Sequence, residues 1–536
     1  MNFDPLSYRY PSRRGLVYAR RGMAATSQPL AAQAGLDMLK KGGNAVDAAI
    51  AAAACMTVVE PAQNGLGSDS FTQVWMNGKL YGLNASGYSP KGITAEAVKA
   101  LGHEKMPARG WIPVMVPGAV AGWAALSERF GRLPFEELLQ PAIEYAEKGY
   151  AVTPVISQLW KQGYDIFTKL EGDEFRPWEE MFAPKGHAPE PGEIWNSPEM
   201  AQTLRRIAET KGEAFYRGEY AEAIDAFSRK TGGWIRKEDM NAYAPRWVDP
   251  VHVNYRGTDV WEMPPNGDGM VVLMALAILN GMELDREHPD SEENFHKIIE
   301  ALKLGYEDGL KHISDPRTMK ASVDVLLSEK YAAGRRALIG EEAVLPTAGD
   351  PTSSGTIYLC TADSDGNMVS LIQSNFKGFG SGIVIPGTGI SLQDRGFGFS
   401  LDPESPNVLA PGKQSFHTII PGFLTRNGRA LGPFGVMGGF MQPQGQLQVV
   451  TNLLDFGMNP QEALDRPRWQ WIREKRVELE PSVPEEIARA LAARGHDIVR
   501  NPDTLIFGRG QIILRNDEGV LAGATEPRAD GCVAAW

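Results

Sequence analysis

Thr356 stands behind the soft stretch "TSSG" and opens a strand-like run, "TIYLCTA", which leads through "DSDGN" into a second run, "NMVSLIQS". Asp-Gly between two such runs is a strong hairpin signal. A buried strand that starts on a threonine behind a glycine has two readings. Thr356 is either a β-branched first strand residue or a residue meant to become a chain terminus. The second reading has chemistry attached. A threonine hydroxyl is a weak nucleophile unless a base lies beside it, and an N-terminal threonine carries its own base, the free α-amine. With a reference pKa of about 7.7–8.0, that amine needs only a modest depression to be neutral and accept the hydroxyl proton. Making the terminus requires cleavage of the Gly355–Thr356 bond. Glycine tolerates the unusual backbone that lets the hydroxyl attack the Gly355 carbonyl. Cys360 shares the face of Thr356 by strand alternation, but without a matched histidine it reads as core.

Other chemistries are poorly served. No serine lies in G-x-S-x-G and no run satisfies G-x-G-x-x-G. The eight histidines show neither H-x-x-x-H nor H-E-x-x-H spacing, so neither a metal nor another cofactor is expected. A net charge of −12 with no compensating basic block argues against a nucleic-acid partner. The three cysteines, Cys55, Cys360 and Cys532, form neither a CxxC motif nor a disulfide framework.

The elements that must hold Thr356 are legible as patterns. "LPFEELLQPAIEYAEKGY" puts Phe135, Leu138, Leu139, Ala142, Ile143 and Ala146 on one helical face and stops at Gly149. "NFHKIIEALKLGYEDGLKHI" repeats that period. "VPEEIARALAARG" has Pro484 near its start and Gly495 past its end. "QPLAAQAGLDMLKKGG" and "NAVDAAIAAAACMTVVEP" read as a helix pair near the N-terminus. The second is the most apolar window, yet Asp47 interrupts it, so it reads as a buried helix and no membrane partner is expected. The apolar run between Arg13-Arg14 and Arg20-Arg21 is too short for an export signal, which makes a cytoplasmic location the expectation. From Thr356 onward short strands are expected: "TIYLCTA", "NMVSLIQS", "SGIVI", "FHTIIPGFL" and "QLQVVTNLL". Helices and strands do not alternate strictly, which favours an α+β layered fold. "VLPTAGDPTSSG", Val344 to Gly355, is the expected loop between the two styles.

Several stretches, taken together, resemble the γ-glutamyltransferase family. They are "GMAATSQPLAAQAGLDMLKKGGNAVDAAIAAAACMTVVEPAQNGLGSDSF", "VPGAVAGWAALSERFGRLPFEELLQPAIEYAEKGYAVT", "EALKLGYEDGLKHISDP", "DGNMVSLIQSNFKGFGSGIVIPGTGI", "GVMGGFMQP" and "DFGMNPQEALDRPRW", in the family's order over nearly the whole chain. The resemblance implies an N-terminal nucleophile hydrolase with a four-layer αββα sandwich. It implies self-cleavage into a large subunit, 1–355, and a small subunit, 356–536, partners from one precursor and compatible with a homodimer of such heterodimers. In the resemblance, counting back from Asp365-Gly366-Asn367 places the family's nucleophile on Thr356, counting back from "FGSG" (Phe379 to Gly382) places its supporting hydroxyl on Ser374, and "VMGGF" matches its oxyanion glycines at Gly438 and Gly439.

The sequence departs from the family where γ-glutamyl groups are gripped. Ser86-Gly87 stands at the carboxylate-binding arginine, Phe397-Gly398 at the amine-binding aspartate and His417-Thr418 at a Ser-Ser pair. "SLDPESPNVLAPGKQS" is shorter than the family's lid segment. A buried ion deprived of its partner typically costs several kcal/mol, so γ-glutamyl substrates should bind poorly. Arg395 and His417 are expected to supply positive charge for a carboxylate at another distance, with Thr418 a further substrate-binding residue. The implied activity is hydrolysis of an amide with a small carboxylate-bearing acyl group, of oxamate or glutaryl type, as in the oxamate amidohydrolase-like branch. A glutathione-acting γ-glutamyl hydrolase or transpeptidase, and an unprocessed binding relative without catalysis, are the alternatives.

Overall fold

The computed structural model describes residues 14–346 and 355–536. Two seven-stranded sheets carry the fold. The first strands in the chain are β1 (Val17–Ala19), β2 (Gly22–Thr26), β3 (Asp69–Met76) and β4 (Lys79–Ala85). They are followed by β5 (Arg246–Val248), β6 (Val251–Tyr255) and β7 (Thr258–Glu262). The hairpin at Thr356 is β8 (Gly355–Asp363) and β9 (Met368–Phe376). The rest are β10 (Gly422–Arg426), β11 (Arg429–Met437), β12 (Arg509–Arg515), β13 (Leu521–Thr525) and β14 (Cys532–Ala535).

One sheet runs β1-β13-β12-β11-β10-β7-β6 and the other β14-β2-β8-β9-β3-β4-β5, with neighbouring strands antiparallel. β8 packs face to face on β11 and β12. The approach is tight: a Cβ on Gly435 would sit 2.5 Å from the Tyr358 ring. Helices cover the outer faces, which completes an α+β, four-layer αββα sandwich. On the β8 side lie α1 (Pro29–Lys40), α2 (Ala45–Val59) and α3 (Phe135–Lys148). On the β11 side lie α4 (Gly269–Asn280), α5 (Glu292–His312) and α6 (Met441–Leu454).

Local chemistry explains the elements nearest Thr356. Every residue of α2 is buried, as its all-round apolar sequence requires. Its start is a capping box: Asn44 Oδ1 accepts from the Val46 and Asp47 N–H groups while Asp47 accepts from Asn44 N–H. Asp363, at the end of β8, accepts from Ala45 N–H with Oδ2 and from Asp365 and Asn367 N–H with Oδ1. One carboxylate thus closes the hairpin turn and pins it to α2, with Gly366 supplying the positive φ of 85°. The expected helices at Phe135–Lys148, Glu292–His312 and Glu485–Ala493 all form, the first ending where Gly149 turns to φ 85°.

Some expected elements are absent. "QLQVVTNLL" is helical, the body of α6, because Met441 and Gln442 N–H groups close a first turn on the Gly438 and Gly439 carbonyls and nearly the whole helix is buried. A helix buried all round shows no amphipathic period to distinguish it from a buried strand. In "FHTIIPGFL" only Gly422 onward is strand, and "SGIVI" contributes only Val384–Ile385. Strands are also plentiful before Thr356, and both sheets mix strands from either side of it. The segments 1–355 and 356–536 are therefore interleaved in one sandwich. Residues 347–354 of the expected Val344–Gly355 loop, and Arg13 of the first Arg-Arg pair, lie outside the described residues. Among the described residues no helix is long and apolar enough to cross a membrane.

Candidate active site

Thr356 is fully buried at the head of β8, in the middle of its sheet. The β8–β9 register slips there: Gly355 pairs with Phe376 and Ile357 with Gln373. β9 therefore carries an extra residue opposite Thr356, and such a bulge re-aims a side chain. The residue re-aimed is Ser374, whose Oγ lies 3.0 Å from Thr356 Oγ1.

Ser374 is held from two sides. Its Oγ accepts from Phe376 N–H at 2.8 Å and from Arg395 Nη2 at 3.1 Å. Both hydroxyl lone pairs are engaged, which directs its proton toward an acceptor, and Thr356 Oγ1 is in place to be one. A second donor to Thr356 Oγ1 is Gln442 Nε2 at 3.3 Å, from the first turn of α6. That amide is oriented because its Oε1 accepts from Ile420 N–H at 3.2 Å. On the other side of the residue, Thr356 N–H donates to Gln63 Oε1 at 2.6 Å. Gln63 sits just beyond α2 and is tied to β9 through its carbonyl, which accepts from Asn375 N–H.

Gly438 and Gly439 follow β11 directly and precede α6. Their φ values of 135° and 59° lie in the region that favours glycine, and a Cβ on Gly438 would come 3.2 Å from Gly508 Cα.

Behind Ser374 lies a buried electrostatic group that the sequence only partly revealed. Arg395 is fully buried; Nη1 donates to Thr418 Oγ1 at 2.9 Å, and its guanidinium lies 4.2 Å from the Phe376 ring centre. Asp69 Oδ2 lies 3.7 Å from Arg395 Nε and 3.0 Å from His417 Nε2. Asp69 is paired directly across β3 and β9 with Ser374. Burial, opposed by Arg395, raises the Asp69 carboxyl to about 7. Burial lowers Arg395 to about 10, where it remains a cation at neutral pH.

His417 does not supply the expected positive charge. Burial and the neighbouring Arg395 hold it well below its ordinary value, so it is neutral. Its Nδ1 accepts from Ile419 N–H at 3.4 Å, leaving Nε2–H to donate to Asp69. Arg395 keeps its charge, but its guanidinium meets Ser374 and Thr418 inside the fold. Where the family has charged acyl anchors, Ser86 hydrogen-bonds Asn84 and Gln414, while Phe397 brings a ring that lies 4.0 Å from Lys377 Nζ. Cys360 is buried in the core, and burial pushes its thiol up, away from thiolate character.

Gln63, Asp69 and Gln442 were not singled out from sequence. All three lie within the stretches that carry the family resemblance, yet no spacing rule selects a lone glutamine or a strand aspartate. A separate buried group, His296, Glu300 and His496, offers ligand atoms within 4.8 Å of one another. These atoms are already engaged. His296 Nδ1 and His496 Nε2 share a hydrogen bond at 2.9 Å, and Lys303 Nζ holds Glu300 at 2.7 Å. The group fastens Val344, whose N–H donates to Glu300 Oε2 at 3.0 Å.

Residues 31–536 match the family described as Gamma-glutamyltranspeptidase. A protein of Bacillus subtilis, "Glutathione hydrolase-like YwrD proenzyme", is 35% identical, the alignment covering 96% of this chain and 98% of that one. "Oxamate amidohydrolase proenzyme" of Klebsiella pneumoniae is 34% identical over 96% of this chain and 98% of its own. The solved cephalosporin acylase from Bacillus halodurans superposes with a TM-score of 0.97 at 57% identity, covering 100% of this chain and 99% of that one. With the two-sheet sandwich and the geometry around Thr356, these similarities make the chain a member of the gamma-glutamyltranspeptidase family of N-terminal nucleophile hydrolases and an amide-hydrolysing enzyme.

Proposed function

We propose that this enzyme is a self-processing N-terminal-threonine amidohydrolase that cleaves an amide of a small carboxylate-bearing acyl group. The observation that carries the reading is Thr356 itself, its Oγ1 met by Ser374 and Gln442 and its nitrogen by Gln63. Cleavage of the Gly355–Thr356 bond frees the α-amine and divides the chain into subunits 1–355 and 356–536. The word "proenzyme" in the relatives' names supports this step.

In the mature enzyme the α-amine takes the Oγ1 proton as Oγ1 bonds to the substrate carbonyl carbon. Ser374 and Gln442 donate to that oxygen and keep it oriented. The tetrahedral oxyanion is held by backbone N–H groups of Gly438 and Gly439, a kind of contact worth about 3–4 kcal/mol of barrier per donor. Collapse breaks the C–N bond, and the leaving amine takes the proton back from the α-amine. Water, deprotonated by the same amine, then attacks the ester and releases the acid and Thr356.

Oxamate- or glutaryl-type acyl groups fit better than γ-glutamyl ones, because uncharged Ser86 and Phe397-Gly398 replace the family's charged anchors. Arg395 and Thr418 are then positioning residues that orient Ser374. Purified protein should run as two bands on denaturing electrophoresis, the smaller with N-terminal sequence "TIYLC", and should hydrolyse oxamate or a glutaryl anilide faster than a γ-glutamyl anilide. A single full-length chain that still turns over substrate would sink the self-processing reading. Faster γ-glutamyl turnover would sink the acyl assignment.

A further inference from the structure

The wall of a cavity of about 270 Å³ includes Gln63 and Gly438. It therefore adjoins both the residue that meets the Thr356 nitrogen and the first expected oxyanion glycine. Its described charged wall residues are Arg109, Lys377, Arg509 and one acid, Asp503, whose Oδ1 already accepts from Leu505 N–H.

Each cation keeps bonding capacity in hand. Arg509 pairs with Met437 between β12 and β11, one residue before Gly438, and is only 4% exposed. Its Nε and Nη1 have no hydrogen-bond partner among the described residues. The nearest carboxylate oxygen, Glu60 Oε1, is 3.9 Å away and too far for a hydrogen bond. Glu60 is itself pushed up to about 7 by burial, so it is a weak counter-ion. Arg109 commits Nη1 to the Gly380 carbonyl and to Asp394 at 3.2 Å. The rest of its guanidinium makes no hydrogen bond among the described residues. Lys377 commits its backbone N–H to the same Asp394, while its ammonium lies 4.0 Å from the Phe397 ring centre and has no hydrogen-bond acceptor among the described residues. Arginine donors buried without acceptors are costly, and a carboxylate can accept from them in charge-assisted pairs.

We propose that Arg109, Lys377 and Arg509 form an anion subsite of the substrate cleft, which takes a carboxylate carried by the amide substrate. The inference rests on Thr356 as the nucleophile and transfers the recognition of substrate charge from Arg395 to this wall. The carboxylate can belong to the acyl half or to the leaving amine, and the two sources need separate probes.

The test is titration calorimetry on the processed wild type, Lys377→Met and Arg509→Met, with glutarate for the acyl half and 4-aminobenzoate for the amine half. One of the two should bind the wild type, and both substitutions should weaken it about tenfold or more. Anilides with glutaryl or its methyl ester as acyl group, and aniline or 4-aminobenzoate as leaving group, should show the wild-type preference for charge in kcat/KM collapsing toward one in both variants. Lys377→Met leaves the Arg509–Glu60 neighbourhood alone, and its processing into two fragments reports that it folds. If neither carboxylate binds the wild type, or if Lys377→Met binds the better one within about twofold of wild type, the subsite is overturned. Should hydrolysis persist in Thr356→Ala, the nucleophile assignment fails instead, whatever the calorimetry gives.

Discussion

The hydroxyls of Thr356 and Ser374 stand 3.0 Å apart, and the second is held by Phe376 N–H and Arg395 Nη2 rather than by chance rotation. Ser374→Ala should therefore slow self-cleavage and lower kcat by roughly 10²-fold with little change in KM, since it removes an oriented donor at the reacting oxygen. Fragment formation over time and steady-state kinetics on a glutaryl anilide measure both. Unchanged self-cleavage would show that the hydroxyl pair is incidental.

Arg395 reaches Ser374 and Thr418 with separate guanidinium nitrogens. Lysine offers a single point charge in place of the two fixed nitrogens that meet these acceptors. Arg395→Lys should thus resemble Arg395→Ala, with kcat and self-cleavage falling together. A variant that raises KM alone would mark Arg395 as a substrate ligand.

Asp69 links pH to both activity and stability. Burial raises its carboxyl to about 7, above an unfolded value near 3.9, so its favourable contribution to stability is complete below about pH 4 and is lost as pH rises through 7. The ionised form is nevertheless the one that balances Arg395 and accepts from His417. Wild-type kcat should climb as pH rises through 7. Asp69→Asn should be the less active protein and should lose that step. It should also lose less stability than wild type between pH 5 and pH 8, by up to a few kcal/mol. Paired pH profiles of kcat and of thermal melting test this, and an unaltered step near pH 7 would assign the titration to another group, such as the Thr356 amine.

Cys360 lies on the nucleophile strand but in the core, with its thiol held protonated by burial. Cys360→Ala should process and turn over normally while losing about 1 kcal/mol of stability from lost packing. Inactivation of this variant would reopen the question of a thiol nucleophile.

The sequence by itself determined the nucleophile candidate, the hairpin that carries it and the helices whose apolar faces repeat at helical spacing. The turn and the helix stop are local, encoded by Asp365-Gly366-Asn367 and by Gly149, whereas the family resemblance is what singled out Thr356 from an ordinary first strand residue. The motifs that carry the family resemblance pointed to Ser374, whose hydroxyl lies 3.0 Å from that of Thr356, and to Gly438 and Gly439, whose oxyanion role is part of the proposal. Only the tertiary structure decided what surrounds them. α6 was misread as a strand because burial on all sides erases the period that separates helix from strand. Gln63 and Gln442 meet at Thr356 only when the two sheets close face to face, and Asp69 comes beside Ser374 only through the pairing of β3 with β9. His417 looked cationic as a residue type, yet low polarity and an adjacent guanidinium make it neutral. Arg395 was expected to face a substrate carboxylate, yet it is buried and donates to Ser374 and Thr418. Charge state and partner choice depend on desolvation and distance across the fold, and neither is written in the order of the residues.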